Sequence, residues 1–172
     1  MKNKIPLLFV LSLVIINVLC NSCKKDANSN IAHLLTSGTW QLASIQATNY
    51  MGDTQLGVAD TLNVNCDSTE LMTFSTNNTC TYTNYSCLAQ KTTGSFTLTP
   101  NRLYFASDMV CKDTVNGETV TIKPFENTQI YTLGVYSLVL QTGDVQPNYS
   151  PTKRRRVVRY GFIKQKAVIV NN

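Results

Sequence analysis

From Thr39 onward the chain alternates with a period of two, and no long helical period follows residue 37. A strand turns successive side chains to opposite faces, so alternation of this kind sorts residues into an inside and an outside. Thr92–Thr99 is the clearest case, with Gly94, Phe96 and Leu98 set against Ser95, Thr97 and Thr99. Glu70–Ser75 places Met72 and Phe74 together, with Leu71 and Thr73 opposite. Asn77-Asn78 then supplies a tight turn, and Thr79–Asn84 returns with Cys80 and Tyr82 on one side. In Thr39–Ala47, Trp40 and Leu42 share a face, with a shift before Ile45. Further strands are expected over Asp60–Val64, Arg102–Ala106, Glu118–Lys123, Thr128–Leu133, Ser137–Thr142 and about Arg155–Gln165. On the last of these Val158, Tyr160 and Phe162 share one face, and Arg159 lies with Val157 and Ile163 on the other. Ala106–Gly117 and Asp144–Thr152 read as loops, and Ile31–Ser37 as one or two helical turns ended by Gly38.

Some eight to ten short strands joined mostly by short connections predict an all-β fold, an antiparallel up-and-down β-barrel preceded by a short helical turn. Closure removes the sheet edges that otherwise invite aggregation. A Greek-key sandwich is the alternative, because alternation alone does not set topology. A barrel of about eight strands either holds one small ligand or is filled by its own side chains. Trp40, Met72, Phe74, Tyr82, Phe96, Leu98 and Phe105 read as its interior. Where a cavity remains, these residues are the expected ligand lining, with tyrosine hydroxyls orienting the ligand.

The start of the chain has a different character. Lys2 and Lys4 precede an uncharged run from Ile5 to Leu19, and Ser22 stands before Cys23. The run is 15 residues long. As a helix it spans ~22 Å, short of the roughly 30 Å of a bilayer core. This reads as a bacterial lipoprotein signal over residues 1–22, cleaved before a lipidated Cys23, with the polar stretch 23–30 as a tether. An ordinary secretory signal is the competing reading. Cys20 is a poorer lipidation site, since bulky Leu19 precedes it. Palmitate-type chains on Cys23 anchor by burying methylenes at ~0.8 kcal/mol each. The expected location is the bacterial outer membrane, on its periplasmic or cell-surface face.

Residues 31–172 make one domain of ordinary size. The formal charge is +5, of which Lys2 and Lys4 belong to the leader, so the remaining excess does not call for a nucleic-acid partner. Four cysteines follow Cys23, namely Cys66, Cys80, Cys87 and Cys111. An exported compartment permits disulfides, and four cysteines allow three pairings. Cys66–Cys87 and Cys80–Cys111 are the preferred set. The first ties two loop ends around a strand pair, and the second joins a strand to the Ala106–Gly117 loop. No Cys-x-x-Cys pair is present and His33 is the only imidazole, so neither a metal nor a cofactor is expected.

Leu35-Thr36-Ser37-Gly38-Thr39-Trp40-Gln41-Leu42 resembles the opening of lipocalin-like domains found in lipoproteins of Bacteroidetes-type bacteria. Gly38-Thr39-Trp40 matches the Gly-x-Trp of the wider lipocalin group. Cys66-Asp67, Leu71-Met72-Thr73-Phe74, Asn78-Thr79, Gly94-Ser95-Phe96-Thr97-Leu98, Ile130–Leu133 and Ser137-Leu138-Val139-Leu140 follow in the same order, over most of residues 34–165. The resemblance implies a calyx and an Arg from the last strand packed on the Trp. Arg159 is the candidate partner for Trp40. The Thr-Asp-Tyr motif of better-known lipocalins is absent, so their ligand properties do not transfer directly.

Catalytic constellations are weak. His33 has no nucleophile motif near it, and Asp67 with Glu70 pairs only by spacing. Asp108 and Asp113 flank Cys111 without a calcium-loop pattern. Lys153-Arg154-Arg155-Arg156, with Arg159 beyond, reads as a solvated strand start or as a contact for anionic headgroups or glycans. Asn77, Asn84 and Asn148 each begin an Asn-x-Ser/Thr triplet, a coincidence in an Asn- and Thr-rich chain. The expectation is a non-enzymatic envelope lipoprotein that binds a small apolar or amphipathic ligand. The alternative is an interaction module with a solid barrel, whose loops bind a protein or glycan.

Overall fold

A computed structural model of the chain describes residues 30–63, 65–101, 103–145 and 150–166. The leader, Cys23 and residues 24–29 of the tether lie outside the described residues. Residues 30–36 form a short helix. Its Leu35 is fully buried, and the Trp40 indole N–H donates to the Leu35 carbonyl at 2.9 Å. Among the described residues no helix is long and apolar enough to cross a membrane.

Among the described residues eleven strands follow: β1 (Thr39–Met51), β2 (Thr54–Thr61), β3 (Leu71–Phe74), β4 (Thr79–Thr83), β5 (Lys91–Leu98), β6 (Tyr104–Ser107), β7 (Cys111–Val115), β8 (Glu118–Ile122), β9 (Thr128–Leu133), β10 (Ser137–Gly143) and β11 (Arg154–Lys164). Eight of them, β1-β3-β4-β5-β6-β9-β10-β11, form one antiparallel ring, closed where β1 pairs with β11 from Trp40↔Lys164 to Met51↔Arg154. Closure of a single sheet rules out the sandwich. Two hairpins depart from the ring. β2 folds back on the far half of β1, and β7–β8 is inserted between β6 and β9.

Two departures from the expected elements have local causes. The strand expected at Asp60–Val64, whose Val64 lies outside the described residues, is instead β2, and residues 62–63 and 65–70 belong to the connection to β3. β2 has no buried face, so it carries no alternation; the exposed edge of β1 makes it a strand. The expected loop Ala106–Gly117 contains β7, which turns into β8 at Asn116 (φ 53°) and Gly117 (φ 84°). Two successive positive φ values make the primed turn that suits the twist of a hairpin. The shift expected before Ile45 is present, between Leu42 and Ser44 of β1. That extra residue lets Trp40 and Leu42 face inward and Ile45 and Ala47 do so again.

The interior is packed. Trp40, Met72, Phe74, Tyr82, Phe96 and Phe105 are at most 3% exposed, and Leu98 packs against them half-buried. Phe74 meets Phe96 and Phe105 edge-on at 5.4 and 5.8 Å. The segment after β6 descends into the barrel rather than looping away from it. Phe125, fully buried, contacts Tyr82, Tyr85, Phe105 and Tyr160 at centroid distances of 5.3–6.4 Å. Its carbonyl accepts the Ser107 N–H at 2.9 Å. Met109, also fully buried, lies on Gly94, where a Cβ would stand 2.6 Å from the Met109 backbone. Only glycine on β5 admits so close an approach.

Candidate functional site

The helix and the β3–β4, β5–β6 and β9–β10 turns close one end of the barrel. At the other end the 62–70 connection, the residues after β4 and the β7–β8 hairpin surround a cavity of about 460 Å³. Leu42 and Ile45 from β1, Val158 from β11 and Leu62 form its apolar wall. Asn63 holds the connection in place. Its carboxamide accepts from the Ile45 N–H at 2.8 Å and donates to the Ala43 carbonyl at 3.0 Å, standing in for a strand at the β1 register shift.

Glu70 is the centre of the polar side. It is 7% exposed, and its Oε2 accepts the Tyr82 hydroxyl at 2.9 Å. Burial raises its pKa above the ordinary carboxyl range, and the Asp113 charge acts in the same direction. The Tyr82 hydroxyl and the Ser86 and Cys87 N–H groups oppose that rise without cancelling it. The backbone explains the two N–H donors. Asn84, Ser86 and Cys87 have φ of 61°, 54° and 61°, around a 3₁₀ turn over Tyr85–Cys87. Left-handed backbone of this kind turns N–H groups toward a carboxylate. The Cys66–Cys87 disulfide, with Cα atoms 5.2 Å apart, ties the turn to the connection that carries Glu70.

Tyr85 and Tyr160 complete the floor, their hydroxyls 3.3 Å apart. Burial raises both phenol pKa values, that of Tyr85 strongly, so they remain neutral donors and acceptors. Ser86 donates to Asp113, whose Oδ1 also accepts the Thr114 N–H at 2.7 Å. Gln90 bridges the turn to β7, donating to the carbonyls of Tyr85 and Lys112 and accepting from the Lys112 N–H. Among the described residues the lining thus holds three carboxyl groups, Asp67, Glu70 and Asp113, and no Lys, Arg or His. It offers acceptors and negative charge beside an apolar wall.

The seven residues expected to line a ligand cavity sit in the packed interior and do not border this one. Tyr82 reaches it only through Glu70. Phe96 and Leu98 border a separate depression of about 350 Å³ beside the helix, with Ala32 and His33. The actual lining was half visible in sequence. Val158 and Tyr160 share the inward face read for the last strand, and Leu42 with Ile45 flanks the expected shift. Tyr85, Ser86 and Asp113 carried no periodic signal.

Cys66–Cys87 forms as preferred, whereas Cys80 and Cys111 are buried free thiols. Cys80 pairs in register with Gly94, while the Cys111 sulfur lies 3.3 Å from Thr92 Oγ1. The Cys80 sulfur lies 3.2 Å from Ser107 Oγ, so the two thiols have separate neighbours and are not joined. Cys66, Cys87 and Glu70 hold ligand atoms within 4.8 Å of one another. Joined to each other, the two sulfurs have no thiolate to offer a metal.

Arg159 is not the partner of Trp40. It faces outward, opposite Gln46, with its guanidinium 4.3 Å from the Tyr131 ring centroid and its Nε donating to Gln141 at 2.9 Å. The register of β1 and β11 puts Lys164 across from Trp40, its Nζ 5.8 Å from the indole. Asp108 and Asp113 diverge: Asp108 Oδ1 accepts the Ser95 N–H at 2.6 Å, away from Ser86 and Asp113. His33 is exposed on the helix. In the basic run, Arg155 is held by the Gly52 carbonyl (2.8 Å), Asp53 (3.3 Å) and the Tyr50 ring (4.7 Å), leaving Lys153, Arg154 and Arg156 exposed beside the β1–β2 turn. Comparison with protein-family models finds no match to this chain, and comparison with curated proteins finds none either.

Proposed function

We propose that this chain is a lipid-anchored lipoprotein of the bacterial envelope, lipocalin-like in type, whose mouth cavity binds a small amphipathic molecule. The observation that carries the reading is the cavity itself. A ligand's apolar side fits against Leu42, Ile45, Leu62 and Val158. Its polar end, donating hydrogen bonds or carrying positive charge, fits against Glu70, Asp113 and the Tyr85–Tyr160 pair. Concave sites with an apolar lining and a few fixed polar groups are the usual form of small-molecule pockets. The leader, ending at Ser22 just before Cys23, supports anchoring in the outer membrane by lipid on Cys23. The binding is non-enzymatic and involves no nucleic acid.

The test is a native mass spectrum of the purified protein after incubation with an extract of bacterial cells. A discrete extra mass, lost on denaturation and absent from Val158→Phe, is the expected result. Bare protein across varied extracts would sink the reading. A second reading is favoured by Phe125, which fills the barrel centre: a solid scaffold whose mouth loops bind an envelope protein or glycan. Bare mass spectra together with a reproducible partner captured by the intact lipoprotein would select it.

A further inference from the structure

Among the described residues four exposed apolar side chains stand at the closed end, while Val58 and Met51 are exposed on the β1–β2 hairpin. Tyr136 is 74% exposed and Val135 54%, both in the β9–β10 turn. Ile163 is 51% exposed and lies across from Ser137, next to that turn. Leu103, 47% exposed, stands at the neighbouring β5–β6 turn, where its carbonyl accepts the Ile130 N–H. Monomeric soluble domains seldom leave such groups together without a use.

The charge of this end is one-sided. Residues 30–38, 75–78, 99–101, 134–136 and 164–166 contain no Asp or Glu. They contain Lys164 and Lys166. The carboxylates of the described chain lie outside these segments, three of them lining the mouth, and Asp108 borders Thr79 just after the β3–β4 turn.

The chain enters the domain at this same end. Asn30 begins the helix that caps the barrel, and Ala32 and His33 lie beside Ser75, Asn78 and Leu98 of the closing turns. Six residues separate Cys23 from Asn30. The seven Cα steps between them reach at most about 25 Å when extended. A lipid on Cys23 therefore holds the closed end within that distance of a bilayer.

We propose that the closed end is a membrane-contact surface: Tyr136, Val135, Ile163 and Leu103 enter the lipid interface, Lys164 and Lys166 face anionic headgroups, and the mouth cavity points away from the bilayer. Tyrosine suits that interface, with an apolar ring and a wet hydroxyl. Lysines beside an anionic surface add attraction. The proposal rests on the lipid-anchor reading of Cys23. It places the basic run Lys153–Arg156, at the opposite end, off the membrane.

The test uses the full lipoprotein purified from membranes and reconstituted in vesicles of phosphatidylethanolamine and phosphatidylglycerol with brominated acyl chains. Tyr136→Trp and Leu62→Trp each add one fluorophore, at the closed end and at the mouth, over the buried Trp40. The emission added by Tyr136→Trp should be quenched relative to vesicles without bromine, and that added by Leu62→Trp should not. An unquenched Tyr136→Trp on vesicle-bound protein, or a quenched Leu62→Trp, overturns the surface and leaves the anchor standing. A mass showing no lipid on Cys23 overturns the anchor reading and the surface with it.

Discussion

Tyr82, buried on β4, donates its hydroxyl to Glu70 Oε2 at 2.9 Å and so joins the packed interior to the floor of the mouth cavity. The hydrogen bond is one of three donors that offset the burial of this carboxyl. Tyr82→Phe removes it and leaves an acceptor underserved. The expected loss is ~1–3 kcal/mol of unfolding free energy, read from urea denaturation at constant pH.

Glu70 also sets a pH dependence. Its folded pKa is raised, so the native state holds the proton more tightly than the unfolded chain. Its contribution is fully present below the unfolded value of about 4.5. It is lost as pH rises through the folded pKa. Glu70→Gln should flatten the fall in urea midpoint over that window; an unchanged pH profile would show that Glu70 is not its source.

The disulfide and the free thiols separate cleanly. Cys66 and Cys87 close a loop with a sequence separation of 21. Cys66→Ser should cost about 3 kcal/mol in denaturant titration. Cys80 and Cys111 are buried, and burial raises both thiol pKa values. Without reductant, an alkylating reagent should leave both unlabelled in native protein and label both after unfolding, as counted by intact mass.

Phe125 holds the barrel centre through four aromatic neighbours. Phe125→Ala should destabilise by ~3–5 kcal/mol. It should also extend the mouth cavity inward, detectable as increased binding of an apolar fluorescent dye by folded protein.

Gly94 is the point where the descending segment touches β5. A Cβ there would meet the Met109 backbone at 2.6 Å, which cannot yield as a flexible side chain does. Gly94→Ala should cost ~1–3 kcal/mol, the range for overpacking, measured by thermal unfolding. A neutral effect would mean that the segment shifts freely.

Alternation carried much of the barrel because each ring strand faces a core. It placed Trp40, Met72, Phe74 and Phe96 inside, and it marked the shift between Leu42 and Ile45. It could not reveal β2, whose two faces are polar or exposed, nor Phe125, a single aromatic between Pro124 and Glu126 with no periodic neighbours. That Lys164 stands over Trp40 in place of Arg159 follows from the pairing of strands more than a hundred residues apart, which local pattern does not encode. The candidate site was hidden for the same reason. Its acid, its phenols and its left-handed turn come from separate segments, and only the folded register brings Glu70, Tyr82, Tyr160 and Ser86 together.

The seam between β1 and β11 also has a temporal meaning. The ring's longest pairing joins residues 40–51 to residues 154–164. Until the later strand exists, β1 has an open edge and the barrel remains an incomplete, curled sheet. Such non-local pairing makes folding slow and keeps unfinished chains adhesive. During synthesis the domain therefore cannot close strand by strand as it emerges; it becomes a barrel in one late step, when its last strand meets its first.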